Sequence, residues 1–98
     1  VPSPGKDERI AALMREVFTS PHWRAPQDLC VRLTRDEDED VAGLAVTGLG
    51  HLARLHGELD LDVVLPVLHE LRDTPGPLAG RAEDALDDIE GFLGRAHD

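Results

Sequence analysis

The chain has 98 residues, 41% hydrophobic and 31% charged, with a formal net charge of −10. That length fits one domain burying roughly 60–65% of its unfolded surface, and it excludes a second independent core or a large interior cavity. The acidic balance repels phosphate backbones and anionic lipid, so nucleic acid and membrane are poor partners and a basic protein is favoured; plain solubility would also account for the charge.

Aromatics are confined to Phe18, Trp23 and Phe92, so the expected core is aliphatic. Cys30 is the sole cysteine. It allows no intrachain disulfide and, between Leu29 and Val31, reads as a small buried hydrophobe. No N-terminal run reads as a signal peptide and no stretch of about 18 apolar residues is present, which makes the cytoplasm the expected location. Val1 is compatible with a non-standard start codon or a processed end.

Residues 1–8 read as a loose entry. Ile10, Leu13, Met14, Val17 and Phe18 then recur at helical spacing, and the helix they predict stops near Ser20-Pro21. Residues 20–26 form a connector containing Trp23. A second helix is expected from about Pro26 to Arg35, with Leu29, Cys30 and Leu33 inward. The run Asp36-Glu-Asp-Glu-Asp40 marks a turn and supplies N-cap candidates for a third helix, Asp40 to His56. That helix carries Val41, Leu44, Ala45, Gly48, Leu49 and Leu52 on one face, and Gly57 is placed to end it. A fourth helix follows from about Asp60, with Pro66 inside it predicting a kink or a delayed start. Thr74-Pro-Gly-Pro77 is a break. The fifth helix runs from about Leu78 to Arg95, with Ala82, Ala85, Leu86, Ile89 and Leu93 inward. Leu44, Leu49, Leu52, Leu68, Leu86 and Ile89 are expected in one core.

A recurrence links the third and fifth helices. Ala42, Gly43, Ala45 and Leu49 return 37 residues later as Ala79, Gly80, Ala82 and Leu86, and Val41 and Leu52 return as Leu78 and Ile89. A helix–turn–helix unit with a period near 40 residues points to an α-solenoid. The expected class is therefore all-α, about two helix pairs plus an N-terminal helix.

On these residues the chain resembles HEAT-repeat proteins. Val63 to Asp73, with its interior Pro66, is similar to the first helix of such a repeat, and Asp38 to Gly50 to the turn and second helix. Ala42 and Ala79 depart from the family pattern, which usually has a basic residue there. The resemblance covers about residues 26–93 and implies a fold, not an activity. Trp23 to Leu33, Leu49 to Leu61 and Arg81 to Glu90 are further similar to small bacterial HEAT-like proteins, some of which serve as immunity proteins in contact-dependent growth-inhibition and other polymorphic toxin systems. That resemblance implies a cytoplasmic blocker of a toxin.

Catalytic and metal motifs are not in evidence. The histidines lack the i, i+4 pairing with a glutamate that helical zinc enzymes use, and His51 and His56 lie about 140° apart round a helix. Asp36-x-Asp38-x-Asp40 resembles the start of a calcium loop, but Val41 and Thr47 occupy the positions that need glycine and glutamate. No P-loop, dinucleotide fingerprint or nucleophile elbow occurs. The expectation is a non-enzymatic chain with no cofactor or metal, a monomer or weak dimer.

Two features suggest a binding face. Gly43, Thr47, Gly50 and Arg54 form a stripe of mostly small residues opposite the predicted core face of the third helix. It reads either as tolerated surface glycine or as a place where another chain approaches closely. Glu83, Asp84, Asp87 and Asp88 put like charges at i, i+4 on the fifth helix, which is either a solvated acidic face or the source of an attractive field. With Asp36, Glu37 and Asp38 at one end, these residues compose a candidate docking face for a basic protein. An immunity protein covering a basic toxin domain and a general scaffold or adaptor both use such a face; an enzyme with a carboxylate site is a third reading, against which stands the missing nucleophile.

Overall fold

The helical periodicity is realised throughout. A computed structural model, describing residues 5–94, contains α1 (Lys6–Thr19), α2 (Arg24–Leu33), α3 (Glu39–His56), α4 (Leu61–Asp73) and α5 (Leu78–Leu93), with no strand among the described residues. The chain is all-helical.

Local chemistry sets the ends. α1 begins at Lys6, so residues 6–8 of the expected loose entry are helical, while residues 1–4 lie outside the described residues. Asp7 and Glu8 favour that start because carboxylates complement the positive end of the helix dipole. α2 starts at Arg24, two residues before the expected Pro26. Proline is harmless in a first turn, where its missing N–H has no intrahelical acceptor to lose. Of the residues expected inward, Cys30 is buried and Leu29 and Leu33 are half-buried; Pro26 and Gln27 take the remaining interior positions.

Asp38 caps α3, its carboxylate accepting from the Asp40 N–H at 2.9 Å and the Val41 N–H at 3.2 Å. Gly57 ends the helix in the left-handed region at φ 64°, where other residues are strained. α4 passes through Pro66 without a delayed start. The lost bond falls on the carbonyl of Asp62, in the exposed first turn, where solvent satisfies it. Gly94 closes α5, and the expected terminus at Arg95 lies outside the described residues.

α3 is the hub, packing on α1, α2 and α5, whereas α4 packs principally on α5. The narrowest extent, 17 Å, is about two helices thick at ordinary interaxial spacing. Leu49, Leu52, Leu68, Leu86 and Ile89 are all fully buried, as the periodicity predicts; each is worth about 1.5–3 kcal/mol relative to exposure. Leu44 is only half-buried, because it lies on the rim of a groove between α1 and α3. A polar tie joins α2 to the start of α4. The buried Gln27 amide oxygen accepts from the Asp60 N–H at 2.6 Å, and Arg24 pairs with the Asp60 carboxylate at 3.2 Å.

Candidate functional site

The acidic turn between α2 and α3 is answered from within. Arg9 of α1 meets Asp36 in a two-pronged pair, Nε to Oδ2 at 2.9 Å and Nη2 to Oδ1 at 3.2 Å, with the Asp36 side chain only 10% exposed. Asp36 also accepts the Asp38 N–H at 2.9 Å. Lys6 sits 2.6 Å from Asp40 and 3.6 Å from Asp38. Hydrogen bonds from the Val41 and Asp40 amides, with Lys6 nearby, hold the Asp38 carboxyl below its ordinary range against the opposing effect of desolvation. Asp36, Asp38 and Asp40 therefore anchor α1 and start α3, and Glu37 and Glu39 remain on the exposed rim.

The two glycines of the small-residue stripe are covered by this chain's own α5 rather than open to another chain, while Thr47 is half-buried and Arg54 is exposed. Gly43 and Gly50 are buried against α5. A Cβ at Gly43 would lie 2.7 Å from Arg81 Nε; one at Gly50 would lie 2.8 Å from Asp88 Oδ2 and 3.3 Å from the Ala85 Cα. Arg81 lies across the stripe, donating to the Thr47 hydroxyl at 3.1 Å and the Gly43 carbonyl at 3.4 Å. Gly48, on the opposite side, lets Cys30 and Val17 approach to 3.0 and 3.4 Å of the missing Cβ. Close packing of this chain's own helices offsets the roughly 1 kcal/mol that each helical glycine costs. The signal was present in the sequence: residues 41–50 contain no charge and are small or aliphatic nearly all round, the mark of a helix covered on several sides.

The carboxylates of α5 divide between its two edges. Asp88 rests over Gly50, and Asp84 lies one turn before it on the edge facing α3. Glu83 lies on the other edge, where its field adds to that of Asp73 in holding the Arg72 guanidinium of α4 charged. Asp87 follows Glu83 by one turn and is exposed, as are Glu83 and Asp84. Residues 1–56 carry seven Lys/Arg against nine Asp/Glu; residues 57–98 carry three against eleven. Eight of the ten net negative charges thus belong to the second half of the chain.

Sequence reasoning missed an apolar band. Phe18 and Phe92, two of the three aromatics, are 51% and 56% exposed, with Met14 at 42% and Leu55 at 56%. Phe18 meets His51 ring to ring at 5.5 Å, and the Arg54 guanidinium stands 5.8 Å over Phe92. His51, Arg54 and Leu55 are successive positions on one side of α3, so the band bridges α1, α3 and α5. Between Met14, Phe18, Leu44 and His51 lies a hollow of about 70 Å³ floored by Leu13, Val17 and Gly48. Periodicity groups Met14 and Phe18 with Leu13 and Val17 on one face of α1, but it does not show where a helix rides past the edge of its neighbour.

Other reactive groups have structural surroundings. Cys30 is buried, and desolvation pushes its thiol up to about 12. His22 stacks on Trp23, over which Arg24 lies at 4.6 Å. Among the described residues no group of three or more His, Cys, Asp or Glu could hold a metal ion, and no helix is long and apolar enough to cross a membrane. The chain matches no protein-family model, no curated protein and no solved structure.

Proposed function

We propose that this chain is a non-enzymatic protein-binding module of HEAT-like build, acting as an immunity protein that neutralises a basic toxin domain by direct contact with the side bearing α3 and α5. The HEAT-like reading draws on two hairpins, α2–α3 and α4–α5, whose second helices pack on each other, and on the proline within the first helix of the second pair. α1 would extend the stack on the far side of α3.

The observation that carries the functional reading is the charge of the second half, three cations against eleven carboxylates, beside a turn whose own carboxylates meet Lys6 and Arg9. An excess of one sign of this kind speeds encounter with a basic partner and favours its orientation, while exposed pairs add little affinity individually. The experiment is co-expression with a toxin domain encoded beside it, followed by mixing of the purified proteins. Rescue of growth and a stoichiometric complex whose association slows as salt rises support the reading. Growth arrest unrelieved by this chain overturns it and leaves the scaffold or adaptor role.

A further inference from the structure

The band of Met14, Phe18, His51, Leu55 and Phe92 needs an occupant, and the charges around it select one. Exposed side chains of this size lie on three helices, Phe18 of α1 meeting His51 of α3 and the cation Arg54 of α3 standing over Phe92 of α5. The hollow beside Met14 and Phe18 has room for the tip of one aliphatic side chain. On α5, Asp84, Asp88 and Phe92 follow one another at i, i+4, so the carboxylate row runs directly into the apolar band. A second copy of the chain would bring a like row against this one, and its net charge of −10 against an equal charge. The favoured occupant is therefore apolar at its centre and cationic at its margins.

We propose that the band is the anchoring centre of the docking face and that it takes a basic amphipathic helix, aliphatic anchors on one side and Lys/Arg flanking them, presented by the partner protein. This rests on the reading of a basic partner above and adds what that partner must offer. Anchors held in a desolvated hollow carry most of the binding energy, whereas the carboxylate rim acts chiefly on the association rate. One aliphatic side chain would enter the hollow between Met14 and Phe18, and the next turns would pass over Leu55 toward Phe92. The lysines or arginines would then fall beside Asp84 and Asp88. A helix laid in a groove in this manner is read at i, i+4 and i+7.

The test uses three probes against the full chain: an amphipathic peptide of about 18 residues with leucines at i, i+4 and i+7 and lysines elsewhere, its scrambled isomer, and decalysine. The expected result is tighter binding of the amphipathic peptide than of either control, with methyl and aromatic NMR shifts concentrated at Met14, Leu55, Phe18 and Phe92. Phe18→Ser with Phe92→Ser, checked for unchanged helicity, is expected to weaken that peptide by about tenfold while leaving decalysine unaffected. Leu55→Lys, a single exposed change, serves if the double variant unfolds, and is expected to weaken the same peptide. Equal binding of peptide and scramble, or unchanged binding by the folded variants, overturns the inference. If decalysine still binds in that case, the basic-partner reading survives it; if no basic probe binds, both fail. A dimer of the wild-type chain dissociated by Phe92→Ser would also overturn it, since a second copy would then cover the band.

Discussion

The turn at Asp36–Asp40 and the outer part of α5 both concentrate carboxylates, but they stand in opposite relations to the rest of the molecule. In the turn, Arg9 grips Asp36, Lys6 reaches Asp40, and Asp38 spends its charge on two backbone N–H groups. On α5, Glu83, Asp84 and Asp87 are exposed within a half of the chain where carboxylates outnumber cations eleven to three. Asp36, Asp38 and Asp40 of the first cluster are part of the architecture, while Glu37 and Glu39 stay on its exposed rim. The second lies in the half of the chain with the larger excess of carboxylates. A cluster's effect depends on what its surroundings already supply, and the cations of α1 make that difference here.

Substitutions that attack each side of this contrast differ in size. Asp36→Ala is expected to have the largest effect. It removes both the carboxylate that faces the largely buried Arg9 guanidinium and the acceptor for the Asp38 N–H, costing about 2–3 kcal/mol in chemical denaturation. Gly50→Val comes next, at about 1–3 kcal/mol, because its side chain meets the Ala85 backbone as well as Asp88. Gly43→Ala sharpens the point. The nearest atoms there belong to the flexible end of Arg81, so the gain of up to about 1 kcal/mol in helix propensity is expected to offset the displacement. A loss at Gly43 as large as that at Gly50 would mean that Arg81 is held more firmly than its exposed position implies.

Acid provides a milder probe of the turn. Asp38 titrates below its ordinary value in the folded chain, so its contribution is present above the unfolded pKa and is lost as pH falls through the folded one. The melting temperature is expected to drop from about pH 4 downward, and Asp38→Asn, which keeps an acceptor without the charge, is expected to flatten that part of the profile. The smallest expected effect on stability is that of Glu83→Lys with Asp87→Lys, within about 0.5 kcal/mol of wild type, although association with a basic probe slows markedly.

Much of the fold was legible because local signals agreed. The aliphatic periods, the Asp38 cap and the Gly57 stop each named an element or its end, and the 37-residue recurrence placed Ala45 and Leu49 in the same core setting as Ala82 and Leu86. The recurrence misleads elsewhere. Gly43 is covered by α5, while its counterpart Gly80 faces open space, since α3 has neighbours on several sides and α5 does not. The same asymmetry explains why Gly43 and Gly50 are covered although they lie opposite the main core face of α3. One helix's periodicity separates faces without saying how many of them another helix will cover. The Arg9–Asp36 pair, 27 residues apart, and the apolar band across three helices are products of tertiary packing, and no local pattern encodes them.

The contrast between the two acidic clusters is tested most directly by an amide NMR titration of the full chain with decalysine at low salt. Shifts concentrated in α5, at Glu83, Asp84, Asp87 and Asp88, and fading as salt is raised, are the predicted result. Shifts centred on residues 36–40, or spread evenly over both clusters, would contradict the assignment of the turn to structure and of α5 to binding.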